Sequence, residues 1–400
     1  MRFSSLTDRI AGRGADAWIV HDLAVERRAA GEDVILLSIG DPDFDTPSPI
    51  RAVANEALGA GRTHYSPSGG EPALRAAVAA EAGRTVGRAI DPSQVTVFPG
   101  AQAALFGVAQ CLFDREDEVI VLEPTYVTYE AVFGAPGARM VQVPLRPDLD
   151  FRLEPEALAG AITPRTRGLV VNFPHNPTGS CLSAAEADAV ADLCRRHDLW
   201  CVSDEVYSAL RFHGQHESPL SRPGMAERGV LISSLSKSHA MTGWRCGWAV
   251  TSPALARHLA NLARATHFGV AQFVQDAAAH AVREGGADLD RLRLAFRSRA
   301  HALAEALAGT PELGVRIPDA GMYLFVDVRR TGLDGLSFAR SLLDAEGVSV
   351  TPGEGFGPSG AGHVRITLGT AEARLREAGH RIARFVTTVR TGPGQTPATR

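Results

Sequence analysis

The chain is almost devoid of lysine. Of its 41 lysine and arginine residues, one is lysine: Lys237, in the stretch SLSKSHAMTGWR (234–245). Arginine meets every other need for positive charge, so the exception asks for a property that a guanidinium lacks. A guanidinium stays protonated in any protein, whereas a desolvated amine can shed its proton and attack a carbonyl carbon. Taken alone, one lysine is equally well a surface cation, and its neighbours have to decide.

Other scarcities exclude whole classes of function. The five cysteines (Cys111, Cys181, Cys194, Cys201 and Cys246) are odd in number, scattered and without CxxC spacing. They read as reduced thiols of a cytoplasmic protein, not as a disulfide frame or a zinc site. A net charge of −4 leaves no basic footprint for nucleic acid and no polybasic stretch for an anionic membrane. Charge, Gly or Pro interrupts every hydrophobic run before it reaches membrane-spanning length. The opening MRFSSLTDRIAGRGADAW has no apolar core of signal-peptide length, which again fits the cytoplasm. What remains is ordinary for a globular protein, 45% hydrophobic and 22% charged, and 400 residues make two domains the default.

From about residue 70 the pattern alternates between helix and strand. Helical GEPALRAAVAAEAGR and AQAALFGVAQCLF flank the short strand VTVF (95–98). EVIVLEP, RMVQVPL, GLVVNFP, WCVSDEVY, VLISSLS and WRCGWAV read as further strands, with helical AAEADAVADLCRRH among them. Apolar strands without strict alternation, separated by helices, predict a sheet covered on both faces, hence α/β architecture with mostly parallel strands. Long helices follow residue 253, and YLFVDV, SFARSLLDAEG, VSVTPG and HVRITLG then suggest a smaller α+β domain. The expected division is an N-terminal segment 1–48 joining the small domain, a large domain 49–290, the small domain 291–390, and a disordered tail 391–400.

Ligands of such sheets bind beyond the carboxyl ends of the strands. There the sequence places Pro99-Gly100-Ala101-Gln102, a turn opening into a helix whose free amides suit a phosphate. It places His175-Asn176-Pro177-Thr178-Gly179 after one strand, and Asp204 and Tyr207 after another. Ser234, Ser236, Lys237 and Arg245 add hydroxyls, the amine and an anion-binding fork. Each piece has a plain structural explanation; together they suit one ligand. It has an aldehyde for Lys237, a basic ring nitrogen for Asp204, a hydroxyl for Tyr207 and Asn176, and a phosphate: pyridoxal 5′-phosphate.

The ordered series NPTG, SDEVY, SLSK and GWR resembles the class I/II aminotransferases of fold type I. The likeness runs from LSIGDPDFDTP (37–47) to HVRITLG (363–369), and its spacings agree: 28 residues from Asn176 to Asp204, three from Asp204 to Tyr207, eight from Lys237 to Arg245. It implies a large domain with a mostly parallel seven-stranded sheet beside a smaller α+β domain. It also implies ping-pong transfer of an α-amino group through a Schiff base on Lys237, which moves the substrate's α-proton as well. Asp204 would keep the ring nitrogen protonated, and Asn176 and Tyr207 would bond the ring oxygen. Gly100, Ala101, Gln102, Ser234, Ser236 and Arg245 would hold the phosphate, and Tyr126 would stack on the ring. Arg365, with Gly40 and Asn176, would bind the substrate α-carboxylate. Tyr65 would reach the phosphate of a neighbouring subunit, making the enzyme a homodimer with shared sites. The peptides preceding Pro124 and Pro177 are expected to be cis, and no metal is expected.

The donor is less firmly marked. MRFSSLTDRIAGRGADAW, SIGDPDFDTP, EPTYVTYEAVFGAPGAR and SLSKSHAMTGWR resemble the bacterial transaminases that pair arginine with pyruvate, which implies L-arginine as donor and pyruvate as acceptor. ATHFGVAQFVQ (265–275), expected to border the substrate pocket, departs from their pattern at Phe268-Gly269-Val270-Ala271. An aspartate or broad-specificity aminotransferase is therefore the near alternative. A β-lyase or an oxygen-using arginine oxidase on the same scaffold is a more distant one. A cofactor-sensing regulator would carry a DNA-binding domain, and the segment before residue 70 holds no basic helix-turn-helix.

Overall fold

A computed structural model describes residues 2–11 and 18–391. The tail expected to be disordered, apart from its first residue, lies outside the described residues. The first strand, β1 (Ile35–Leu36), pairs with a strand close to the C-terminus. The next seven build one sheet: β2 (Val95–Phe98), β3 (Glu118–Glu123), β4 (Arg139–Pro144), β5 (Thr166–Asn172), β6 (Trp200–Asp204), β7 (Gly229–Ser234) and β8 (Gly247–Val250). Their spatial order is β2-β8-β7-β6-β5-β3-β4, and β8 alone runs antiparallel to its neighbours. Ile120, Val121, Val170, Val171, Val202 and Ile232 are buried on both faces. That is why these strands read as continuous apolar runs and not as alternations.

The register brings the chemistry to one edge. Asn172 and Asp204 are the last residues of β5 and β6 and lie side by side, and Ser234 ends β7. Because β8 is reversed, its first residue, Gly247, sits at the same edge, opposite both Ser234 and Phe98. A Cβ on Gly247 would lie 2.4 Å from the Ala101 nitrogen, so glycine here lets β8 approach the start of the Ala101–Leu112 helix. The sequence reading extends this strand back to Trp244. The structure instead ends a single helical turn at Thr242–Trp244 and puts Arg245 in the left-handed region (φ 53°) before β8 begins. That kink turns the Arg245 side chain toward the Pro99-Gly100 turn.

A second group of strands comprises β9 (Tyr323–Asp327), β10 (Val348–Ser349), β11 (Thr351–Pro352) and β12 (His363–Thr367). β11, β12 and β9 form an antiparallel sheet in that order, and β1 pairs in parallel with β10. The Gly286–Leu307 and Glu372–Thr391 helices pack together beside it. One apolar core joins Val20, Leu37, Phe296, Leu303, Leu324 and Phe338; others lie beneath the large sheet. Val20, Ala24, Ile35 and Leu37 share the core of Phe296 and Leu324, which supports the proposed division 1–48, 49–290 and 291–390, whereas Arg9 donates to the Ala135 carbonyl of the larger domain.

Candidate active site

Two cavities meet at Lys237. The first, about 160 Å³, is lined by Ala101, Gln102, Tyr126, Asn176, Asp204, Tyr207, Ser234, Ser236, Lys237 and Arg245, among others. The second, about 290 Å³, is lined by Gly40, Tyr126, Tyr207, Lys237 and Arg365 and by residues to which sequence assigned nothing, including Trp18, Ser38, Asp41, Thr242, Tyr323 and Thr351. Lys237, Tyr126 and Tyr207 border both, so the amine stands where a bound cofactor and its substrate would face each other. Its Nζ donates to the Gly40 carbonyl at 2.5 Å.

Asp204 lies at the floor of the first cavity, 4% exposed. Burial pushes its carboxyl up to about 6, against the pull of the Tyr129 hydroxyl, which donates to Oδ2 at 2.7 Å, and of the Val206 amide. A buried carboxylate with no cation beside it is costly, and a protonated ring nitrogen would remove that cost. Asn172 donates to the Asp204 carbonyl at 3.1 Å and accepts from the Asn176 amide at 3.0 Å, tying the β5 exit to the β6 end. The peptides before Pro124 and Pro177 are cis, as expected, and so is Phe173-Pro174.

At the other end of the cavity the Ala101–Leu112 helix starts after Gly100 (φ 87°). Its first-turn amides have no acceptor within the helix, which makes them donors for an anion. A Cβ at Gly100 would meet the Arg245 guanidinium at 2.4 Å. Arg245 is held by the Thr242 and Pro99 carbonyls, at 2.7 and 3.4 Å, and pairs with no carboxylate among the described residues, so its charge is available. Ser234 and Ser236 are both buried and border the cavity. An acid-floored chamber with an amine on one wall and a cationic, amide-rich far end fits pyridoxal 5′-phosphate at its ring nitrogen, aldehyde and phosphate.

Arg365, in the middle of β12, is 6% exposed and forms no ion pair among the described residues. Its Nη1 donates to Asn176 Oδ1 at 3.2 Å and its Nη2 to the Ser38 carbonyl at 3.2 Å, while Nε has no partner. The guanidinium lies 4.3 Å from the centre of the Tyr323 ring and 4.9 Å from that of Phe356. Tyr323 also meets the Tyr207 hydroxyl, at 3.2 Å. A buried guanidinium bordered by aromatic rings and lacking a counter-ion is a receptor for a carboxylate.

Two expectations fall elsewhere on this chain. Tyr65 is 84% exposed and lines neither cavity; its ring lies 5.2 Å from that of Phe268, itself 55% exposed. The 265–275 segment likewise contributes nothing to either cavity. Among the residues missed, Tyr129 opens the short Tyr129–Gly134 helix and carries no mark in the sequence that sets it apart from a core tyrosine. Tyr323 and Thr351, which reach the site through the smaller sheet, and Ser38, which follows β1, carry none either.

Known proteins agree with this geometry. The profile of the family described as aminotransferase class I and II matches residues 32–382. The chain is 53% identical over 383 residues to arginine–pyruvate transaminase of Pseudomonas aeruginosa, covering 96% of this chain and 98% of that one. It is 35% identical over 370 residues to aspartate aminotransferase of Bacillus subtilis, covering 91% and 94%. Aspartate aminotransferase of Thermus thermophilus, solved with maleate, superposes with a TM-score of 0.91 at 35% identity, covering 96% of this chain and 100% of that one. No helix among the described residues is long and apolar enough to cross a membrane. With the fold, the two cavities and these matches in agreement, the chain belongs to the class I and II aminotransferases, enzymes that work with pyridoxal 5′-phosphate.

Proposed function

We propose that this aminotransferase moves the α-amino group of L-arginine to pyruvate in the cytoplasm, acting as a homodimer. The observation that carries the amino-acid reading is Arg365, a buried cation without a counter-ion among the described residues, facing the cavity that holds the only lysine. The 53% identity to an arginine–pyruvate transaminase over nearly the whole chain supports the choice of donor and acceptor.

When bound, the cofactor supplies an aldehyde that joins an amine and a ring that accommodates the electron pair left at the substrate α-carbon. Lys237 provides the amine and, once free, takes and returns the α-proton. Asp204, steadied by the Tyr129 hydroxyl, would hold the ring nitrogen and keep it protonated. Tyr207 and Asn176 would bond the ring oxygen, and Tyr126 would stack on the ring. Gly100, Ala101 and Gln102 with Ser234, Ser236 and Arg245 would hold the phosphate. Arg365, aided by Asn176 and the backbone at Gly40, grips the α-carboxylate and so sets which α-carbon bond faces Lys237.

Tyr65 and Phe268 form an exposed aromatic pair, the kind of surface a second subunit covers. In the dimer, Tyr65 reaches the partner's phosphate site. A second reading, an aspartate aminotransferase, is favoured by the Thermus thermophilus likeness. Rates for arginine, aspartate and glutamate with pyruvate, 2-oxoglutarate and oxaloacetate separate the two. The arginine reading expects arginine with pyruvate to be fastest, with alanine formed one for one. Faster turnover of aspartate or glutamate would retire it.

A further inference from the structure

Tyr207 borders both cavities, and Tyr323 lines the second one beside it. Tyr207 follows β6 of the large sheet, whereas Tyr323 opens β9 of the small one. The backbone fixes their spacing by pairing the stretch after Tyr207 with the stretch before Tyr323. Phe212 N–H donates to the Asp319 carbonyl at 2.9 Å, Gly321 N–H donates to the Leu210 carbonyl at 3.1 Å, and Arg211 and Ala320 form an antiparallel bridge. Both tyrosines are buried, their rings meet edge to face at 6.0 Å, and their hydroxyls are 3.2 Å apart. Among the described residues neither hydroxyl has another hydrogen-bond partner.

Tyr323 does more than pack. Its ring lies 4.3 Å from the Arg365 guanidinium, a role that phenylalanine would fill equally well. A buried hydroxyl is costly unless bonded, and Tyr207 is the group that bonds this one. The hydroxyl is confined on its other side by Gly40, where a Cβ would lie 1.7 Å from it. Each phenol carries one hydrogen, so the pair can run in either direction. Burial first, and Tyr323 after it, push the Tyr207 hydroxyl well above the usual tyrosine range, so Tyr207 keeps a hydrogen to give. If that hydrogen goes to the ring oxygen of the cofactor, the Tyr207 oxygen is left to accept, and Tyr323 is its donor. Hydroxyls bonded head to tail polarise one another, which strengthens the last bond of the chain.

We propose that Tyr323 is a positioning residue for the ring-oxygen contact: it donates to Tyr207, and so orients and strengthens the hydrogen bond from Tyr207 to the cofactor. This rests on the reading of Tyr207 as a ligand of the ring oxygen. Because the Tyr323 ring also supports Arg365, one side chain joins the carboxylate receptor to the ring-oxygen ligand.

The test reads the absorption of the cofactor-loaded protein against pH. The spectrum changes as the Lys237 nitrogen, joined to the cofactor, gains or loses its proton, and donors on the ring oxygen let that proton leave at lower pH. Tyr323→Phe removes one oxygen atom and keeps the ring beside Arg365. It should raise the midpoint by about half a pH unit, the scale of one hydrogen bond, and lower kcat by about threefold. Binding of propionate, a carboxylate without an amine, should be unchanged, because the support of Arg365 remains. Tyr207→Phe should raise the midpoint further, and the double variant no further than Tyr207→Phe alone, since Tyr323 acts through Tyr207. Two shifts that add would overturn the proposal. So would a midpoint unmoved or lowered by Tyr323→Phe, even with kcat reduced, which is what lost packing alone would give. A midpoint that Tyr207→Phe leaves in place removes the ring-oxygen reading itself, whereas one that only Tyr323→Phe leaves in place removes this inference alone.

Discussion

Gly40 and Tyr323 occupy the same small space: a Cβ on residue 40 would lie 1.7 Å from the Tyr323 hydroxyl. Gly40 therefore keeps its place through the absence of a side chain, and the absence matters twice. The Gly40 carbonyl accepts from Lys237, and the Tyr323 hydroxyl meets Tyr207 while its ring supports Arg365. One methyl group at residue 40 would push apart the amine, the ring-oxygen ligand and the carboxylate receptor together.

Gly40→Ala should accordingly lower kcat/KM by about 100-fold, the scale set by a 1 Å misplacement of reacting groups. Thermal stability should change by no more than a few degrees, because the substitution borders a cavity. Steady-state kinetics beside a melting curve checks both. Near-normal turnover would mean that Tyr323 moves aside without consequence.

Asp204 makes the cofactor-free protein sensitive to pH in a defined direction. Burial raises its carboxyl from 3.8 to about 6, so below about pH 4 both folded and unfolded chains carry the proton. As pH rises from there to about 6, the unfolded chain ionises first and the folded state loses stability. Above that window the penalty stays constant, on the order of 2–3 kcal/mol. Asp204→Asn abolishes the titration, so its stability advantage over the natural sequence, both without cofactor, should grow across this window and then level off. Urea unfolding at a series of pH values measures it, and a flat difference would contradict the assignment of the penalty to Asp204. The same variant should bind the cofactor more weakly, since the ring nitrogen loses its counter-charge.

Tyr65 tests the shared site. Chains carrying Tyr65→Ala and chains carrying Lys237→Ala should each be impaired. Mixed and allowed to re-associate, they should regain activity, because a hybrid dimer contains one site with both residues intact. Recovery approaching the statistical share of hybrids is expected. No recovery in hybrids shown to form by mass would place Tyr65 outside the partner's site.

Much of the site was legible because its residues stand at strand ends with fixed spacing. Asn176, Asp204, Lys237 and Arg245 follow one another along the chain as the sheet is laid down, and the alternation of apolar strands with helices marked where those ends fall. Arg365 stood out as a cation amid the apolar residues of HVRITLG. Tyr129, Tyr323 and Asp41 were not legible. Tyr129 differs from an ordinary core tyrosine only by the Asp204 oxygen 2.7 Å away. Tyr323 enters from a sheet that the order of residues does not place against β6. Trp244 and Arg245 were misread as strand because nothing in WRCGWAV signals a left-handed residue; that conformation follows from the tight approach of Arg245 to Gly100.

The central claim is that the one lysine is present for its amine. The most direct measurement is borohydride trapping of the cofactor-loaded protein, followed by mass analysis of its peptides. The adduct is expected on Lys237 alone, and Lys237→Arg, with its charge kept, should show neither adduct nor turnover. An adduct elsewhere, or turnover surviving that exchange, would contradict the account.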